Sequence, residues 1–169
     1  MLRRLPLLLV LALALAACGG DGDAAPQPAD DADDTPASGA AGVEVTGELG
    51  AKPTVTIPDG APPAELVVHD IVVGDGAEAG EGATVTTHYV GIGWDSKTEF
   101  DASWNGGQPL QFPLSGVIAG WTQGIPGMKV GGRRLLVIPG ELAYGPNPPG
   151  AGIGPNETLV FVIDLVSTP

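Results

Sequence analysis

All eight aromatic residues of this 169-residue chain lie in one window of 73 positions, from Tyr89 to Phe161. Large aromatic side chains dominate the packing energy of a core and line most small-ligand clefts. The length of 169 residues suits one globular domain with additional segments at its ends, because domains usually contain about 100 to 200 residues. We therefore expect the hydrophobic core, and any apolar binding pocket, in the C-terminal half of the chain.

The residue pattern of this half is mainly that of β-strands. Apolar and polar residues alternate in short segments bounded by Gly-rich and Pro-rich turns, and alternate residues from Leu159 to Leu165 would share one face. Residues 117–125 are the only predicted helix, which stops at Pro126. The connections are too short for the helical crossovers of parallel sheets. The pattern predicts an α+β fold in which a curved antiparallel sheet of five or six strands wraps around one short α-helix. The predicted strands are 66–73, 84–91, 98–101, 110–114, 133–139 and 158–166.

Residues 1–17 have the pattern of a secretory signal peptide. Arg3 and Arg4 precede an apolar run of 13 residues that ends in small side chains. This run is too short for a membrane-spanning helix, which needs about 20 residues. It ends in Leu-Ala-Ala before Cys18, the only cysteine, and so resembles a bacterial lipobox. We expect an extracytoplasmic protein anchored to the membrane through lipid on Cys18; an ordinary cleaved signal peptide with an incidental cysteine is the alternative.

Two segments separate the predicted signal peptide from the aromatic half. Residues 18–42 are rich in Asp, Ala, Gly and Pro and contain no side chain larger than Gln, so they are predicted to form a disordered acidic tether. Residues 43–65 contain two short alternating segments, which predict an extension with short strands that pair loosely with the main domain. The main domain is predicted to span residues 66–169.

Charge and polar residues exclude several classes of function. Seven basic residues against 20 acidic ones give a formal net charge of −13, so nucleic acid is not an expected partner. The two histidines, His69 and His88, lie on separate predicted strands without the spacing of metal ligands, and no serine has the setting of a catalytic nucleophile. The chain is expected to use no metal and no cofactor.

Five segments in chain order carry a resemblance to a known family. They are VTTHYVG (85–91), TEFDASW (98–104), GVIAGWTQGIPGMKVGGRRLLVIP (116–139), LAYG (142–145) and TLVFVIDL (158–165). With them, residues 66–168 resemble an FKBP-type peptidyl-prolyl cis-trans isomerase domain. The resemblance implies an FKBP-like fold and rotation of peptide bonds that precede proline.

The resemblance also implies a set of site residues around a proline pocket with Trp121 as its floor. In the family, a Tyr hydroxyl and an Ile backbone amide donate to carbonyls of the bound peptide, and an Asp lies beside the rotating carbonyl. The family's usual arginine near that Asp is missing, since no arginine follows Asp101 within thirty residues. The implied catalytic residues are Tyr89, Phe100, Asp101, Trp121 and Tyr144, and the implied substrate-binding residues are Phe112, Val117, Ile118, Ile153 and Phe161.

A pocket without a nucleophile can still catalyse this reaction. Rotation about a peptide bond is opposed by a resonance barrier of about 18 to 20 kcal/mol, and only bonds before proline populate both isomers readily. A dry aromatic cleft favours the twisted amide over the planar, strongly hydrated one. We expect a monomer that isomerises proline-containing exported polypeptides; a noncatalytic chaperone or adaptor that binds proline-containing peptides is the alternative.

Overall fold

The computed structural model of this protein describes residues 37–150 and 152–169. The predicted signal peptide, Cys18 and most of the predicted tether lie outside these residues. None of the helices in the described ranges is long and apolar enough to cross a membrane. The elements of the described chain are β1 (Ala37–Ser38), β2 (Glu44–Thr46), β3 (Thr54–Thr56), β4 (Val67–Val72), β5 (Thr84–Gly93), β6 (Glu99–Ala102), β7 (Leu110–Pro113), α1 (Ala119–Gly124), β8 (Arg133–Ile138) and β9 (Leu159–Ser167).

The main sheet contains six strands, and all of its pairings are antiparallel. Its order is β4-β8-β9-β5-β6, and β7 pairs with the beginning of β5 while β6 pairs with the end of that strand. The predicted α+β class, with an antiparallel sheet and one short α-helix, is confirmed. All six predicted strands are present, and their ends lie within two residues of the predicted bounds.

Alternation along β9 divides the interior into two layers. Phe161 and Ile163 face α1 and belong to one buried cluster, whereas Val160 and Val162 face the other side and belong to a second. Both faces of the strand are buried, because successive side chains point to opposite faces and each face is covered. The layer beneath α1 contains most of the aromatic residues, as the sequence predicted.

The helix is shorter than the predicted range 117–125. Val117 and Ile118 are extended (φ −109° and ψ 176°; φ −60° and ψ 150°). A short 3-10 turn, Leu114–Gly116, precedes them, and the Thr122 hydroxyl of α1 donates a 2.8 Å hydrogen bond to the carbonyl oxygen of Leu114. This bond ties the turn to the side of the helix. Val117 and Ile118 therefore connect the turn to the helix in an extended conformation.

Arg134 fixes the C-terminal end of α1 to the sheet. Its guanidinium donates to the carbonyl oxygens of Gly124 (2.8 Å) and Pro126 (3.2 Å), which lie at the end of the helix. The same guanidinium makes two hydrogen bonds with Asp70 of β4. A cation is favourable at a helix C-terminus, where carbonyl oxygens lack partners within the helix. Arg134 therefore holds the segment that carries Trp121 in place.

The N-terminal extension packs tightly against the main sheet. Strands β1, β2 and β3 form a separate three-stranded antiparallel sheet, and its Val43 and Val45 are 0% and 2% exposed. They join the second buried cluster beside Leu135 and Val137 of β8. The expectation of loose pairing is therefore wrong, because valines of β2 and the turn before it complete this core layer. Regular structure also begins before residue 43, since β1 lies within the predicted tether.

A buried ion pair joins the extension to the main sheet. Arg133 and Asp164, which are 1% and 4% exposed, lie opposite each other on β8 and β9 and make two hydrogen bonds of 2.6 and 2.7 Å. Arg133 also donates to the carbonyl oxygens of Gly47 and Ala51, and the Gly50 N–H donates to Asp164. Backbone groups of the extension thus supply further hydrogen bonds to both buried charges.

Candidate active site

A cavity of about 400 Å³ opens between α1 and the sheet. Its wall contains residues from four strands, from the helix and the segment before it, and from the loop after β8. Most of these side chains are aromatic or aliphatic, which is typical of sites for small apolar groups. The lining residues are Tyr89, Phe100, Asp101, Phe112, Gly116, Val117, Ile118, Trp121, Tyr144 and Phe161.

Trp121 lies at the centre of the aromatic wall. Its ring centroid is 5.4 Å from those of Tyr89, Phe112 and Phe161, and all three contacts are edge-on. Such geometry places the positive edge of one ring against the negative face of another. Trp121 is only 4% exposed, and its indole N–H has no hydrogen-bond partner among the described residues. The rings of Tyr89, Phe112 and Phe161 thus pack around Trp121 in one aromatic cluster that forms this wall.

Tyr89 and Asp101 form the polar contact in this wall. The Tyr89 hydroxyl donates to Oδ2 of Asp101 at 2.5 Å. Burial, the hydrogen bond to Asp101 and the negative charge of that carboxylate all raise the pKa of Tyr89 above its ordinary value. The hydroxyl therefore stays protonated near neutral pH and keeps donating. Asp101 itself is exposed, so the pair presents a carboxylate at the edge of an otherwise apolar cavity.

Tyr144 lines another part of the same cavity and is 37% exposed. Burial of its hydroxyl and the charge of Asp101 both raise the pKa of Tyr144. At neutral pH its hydroxyl is protonated. Tyr144 can therefore donate a hydrogen bond to a carbonyl group in the cavity, as the resemblance implies for this residue.

The structure brings nine of the ten predicted site residues into this cavity, and Ile153 is the exception. Ile153 packs against the cluster that contains the aromatic residues but lines a neighbouring cavity of about 580 Å³, together with residues of the turn between β5 and β6. The roles of all ten residues in binding and catalysis stay predictions. Gly116 also lines the cavity and offers only backbone. It was not counted among the ten predicted residues, although the resemblance places it where the family often has a Glu whose backbone carbonyl accepts a ligand hydrogen bond.

Comparison with known proteins shows the family of this chain. A profile of the family described as FKBP-type peptidyl-prolyl cis-trans isomerase matches residues 76–166, more than half of the chain. The chain belongs to this family. Its enzymatic activity is accordingly peptidyl-prolyl cis-trans isomerisation. Among relatives of the FKBP family, a probable FK506-binding protein of Corynebacterium glutamicum is 56% identical over 69% of this chain and 98% of its own length. An FK506-binding protein of Streptomyces anulatus is 57% identical over 69% of this chain and 96% of its own length.

Solved FKBP structures have the same fold. The crystal structure of FkpA from Escherichia coli is similar with a TM-score of 0.55 and 46% identity, covering 61% of this chain and 47% of that protein. The crystal structure of a peptidyl-prolyl cis-trans isomerase from Pseudomonas syringae has a TM-score of 0.56 and 35% identity, covering 61% of this chain and 74% of that chain. The FKBP-like fold predicted from the sequence is confirmed.

Proposed function

We propose that this FKBP-type isomerase accelerates folding of exported polypeptides by stabilising the twisted Xaa-Pro amide without forming a covalent bond. The observation that carries the mechanism is the cavity of about 400 Å³ built around the edge-on contacts of Trp121. A proline ring is compact and apolar, and such a cavity can enclose it. Among the residues that the structure describes, no serine, threonine or cysteine lines the cavity.

The rate enhancement would come from a difference in solvation. The planar amide is polarised by resonance and strongly hydrated, whereas the twisted amide has lost that resonance. Moving the amide into the aromatic cavity disfavours the planar form more than the twisted one, which is differential stabilisation of the transition state. Each 1.36 kcal/mol of such difference corresponds to about a tenfold rate increase. A few kcal/mol therefore shortens a reaction that otherwise takes tens to hundreds of seconds.

The polar groups at the edge of the cavity would orient the peptide. Tyr144 would donate its hydroxyl proton to a peptide carbonyl, and the Ile118 backbone amide would donate to a second one, as the family resemblance implies. Asp101, held by the Tyr89 hydroxyl, would lie beside the rotating carbonyl. In this arrangement the Tyr89 hydroxyl is the group that would orient the Asp101 carboxylate.

Exchange spectroscopy on a short Xaa-Pro peptide tests the mechanism. The wild-type protein should accelerate cis-trans exchange, and Trp121→Leu should lower kcat/KM by about tenfold or more, because it removes the floor of the cavity. Trp104→Leu is the matched control, since Trp104 packs against the other buried cluster. Peptide binding without accelerated exchange in the wild type would instead support a noncatalytic chaperone or adaptor.

We further propose that the enzyme acts outside the cytoplasm, attached to the membrane by lipid on Cys18. The support is the sequence of residues 1–18, in which a basic start and an apolar run precede the single cysteine. Cys18→Ala in the full chain should release the protein from the membrane fraction and abolish labelling by radioactive palmitate. Retention of Cys18→Ala in the membrane fraction would contradict the lipid anchor and leave the isomerase proposal intact.

A further inference from the structure

Glu157 is a buried carboxylate that does not line the aromatic cavity. It is 6% exposed. Its Oε1 accepts a hydrogen bond from the backbone N–H of Ser96 at 3.1 Å, and its Oε2 accepts one from the backbone N–H of Gly154 at 2.5 Å. A buried carboxylate is costly unless it is hydrogen-bonded, and these two bonds meet that need.

Glu157 is charged in the folded protein. Burial alone would raise its pKa, but hydrogen bonds from the backbone of Gly154 and from Ser96 outweigh burial and lower the pKa of Glu157 below its ordinary value. Hydrogen bonds to a charged acceptor are stronger than those between neutral groups. The two backbone segments are thus held by strong bonds.

The segments that Glu157 joins both border the active site. Ser96 lies in the turn between β5 and β6, and β6 carries Phe100 and Asp101 of the cavity wall. Gly154 follows Ile153 in the loop before β9, here called the rim loop (152–157). Gly152 of this loop lies close to Phe100, since an added Cβ on Gly152 would lie 3.5 Å from the Cβ of Phe100.

A third segment of the site is attached to the same loop. The Asn156 N–H donates a 2.7 Å hydrogen bond to the carbonyl oxygen of Gly145, which follows the cavity residue Tyr144. Gly140 packs closely against the rim loop, since an added Cβ on Gly140 would lie 2.3 Å from the carbonyl oxygen of Asn156. The rim loop therefore contacts both β6 and the segment that carries Tyr144.

Side-chain packing leaves a gap between the rim loop and the β5–β6 turn. The neighbouring cavity of about 580 Å³ lies here, lined by Ser96 and Thr98 from the turn and by Ile153 and Glu157 from the loop, among others. One hydrogen bond of Glu157 crosses this space, from the backbone N–H of Ser96 to Oε1, whereas the bond from Gly154 lies within the rim loop and orients the carboxylate. Loss of the bond to Ser96 should let the two walls separate.

We propose that Glu157 is a positioning residue of the isomerase, whose buried carboxylate holds the rim loop against the β5–β6 turn and thereby sets the width of the peptide-binding cavity. The inference rests on the proposed function of the aromatic cavity. Glu157 acts through Phe100 and the Tyr144 segment and is not itself in contact with the reacting amide. It should therefore affect binding of the peptide more than rotation of the bound peptide.

Glu157→Gln is the first test. The amide keeps the size of the side chain but can accept only one of the two backbone N–H bonds through oxygen, since its NH₂ group is a donor. We expect KM and the peptide Kd to rise by about threefold or more, with kcat within about twofold of wild type. Glu81→Gln, at an exposed turn, is the matched control and should change neither constant. Unchanged KM and Kd in folded Glu157→Gln would overturn the proposal, as would a fall in kcat alone.

Gly154→Pro provides a second test, which remains available if Glu157→Gln does not fold. Proline lacks the N–H that Gly154 donates, so the carboxylate stays charged while one of its bonds is lost. Gly154→Pro should also raise the peptide Kd, because the bond from Gly154 orients the carboxylate that accepts from Ser96. The double variant should be less impaired than the sum of the two single effects, since both change the same contact between Gly154 and Glu157. Strict additivity, or an unchanged Kd in Gly154→Pro, would overturn the proposal. If the wild type binds peptide without accelerating exchange, the proposed mechanism fails while Kd still tests Glu157.

Discussion

Tyr89 combines a hydrophobic and an electrostatic role in one side chain. Its ring packs edge-on against Trp121 and Phe112, while its hydroxyl donates to Asp101. The ring therefore belongs to the apolar wall, and the oxygen belongs to its polar edge. This dual use is common for buried tyrosines, whose hydroxyl needs a partner.

The raised pKa of Tyr89 predicts a loss of stability at high pH. An unfolded chain releases the tyrosine proton near the ordinary value of 10.0, whereas the folded protein retains it. The contribution of Tyr89 is thus fully present below pH 10 and declines above it, by up to about 1.4 kcal/mol per pH unit. Urea unfolding at pH 9 and pH 11 should show a larger decrease for wild type than for Tyr89→Phe. Equal decreases in both proteins would contradict this.

The contact between α1 and β8 depends on two glycines one helical turn apart. An added Cβ on Gly120 would lie 2.3 Å from Cγ2 of Ile138, and one on Gly124 would lie 2.7 Å from Cδ2 of Leu136. Glycine normally weakens a helix, but here it allows close approach to the sheet. The short helix therefore depends on packing against the sheet for its stability. The same packing brings Trp121 into the cavity wall.

Gly120→Ala should destabilise the protein although alanine is the better helix former. The added methyl group overlaps Ile138, and overpacking of this kind costs about 1 to 3 kcal/mol. Gly80→Ala is the control, since an added Cβ there meets no atom within 4 Å. Urea unfolding curves of both variants measure the effect. A Gly120→Ala protein as stable as wild type would show that the helix can shift without cost.

The extension and the main sheet are joined through the buried Arg133–Asp164 pair. Arg133→Met would leave Asp164 charged and buried with fewer hydrogen bonds, which typically costs about 3 to 5 kcal/mol. The double variant Arg133→Met/Asp164→Leu removes both charges and should recover much of that loss. Chemical unfolding of the three proteins tests this, and a double variant less stable than Arg133→Met would contradict the explanation.

The whole molecule carries a large negative charge, with a formal net value of −13. An excess of one sign attracts oppositely charged ligands over distances comparable to the screening length, about 10 Å at 0.1 M salt. The exposed carboxylate of Asp101 at the cavity edge adds to this field locally. Substrates with basic residues near the proline should therefore meet the site more often.

Salt dependence tests this electrostatic preference. At low salt a Lys-flanked Xaa-Pro peptide should have a kcat/KM about threefold or more above that of a Glu-flanked one, and the ratio should approach one at high salt. Uncatalysed exchange rates of both peptides provide the control. A ratio that does not change with salt would mean that contacts in the cavity, and not the overall field, distinguish the peptides.

Local pattern was enough to predict the elements of the main domain. Strand alternation is a property of neighbouring residues, so the faces of β9 followed from its sequence. The ends of α1 did not, because the hydrogen bond from Thr122 to Leu114 holds Val117 and Ile118 outside the helix. The aromatic content of the cavity wall was predictable, since all eight aromatic residues of the chain lie within positions 89–161.

The sequence alone therefore determined which segments of the chain form strands and which aromatic residues are available for a pocket. It also determined which family the chain resembles. Tertiary structure decided which distant groups meet. The register between β8 and β9 sets Arg133 opposite Asp164, and Ile153 lines a cavity beside the aromatic one. Glu157 and Ser96 likewise meet across 61 residues. These pairings depend on how whole strands align, and charges or amides far apart in a chain carry no local signal of their partners.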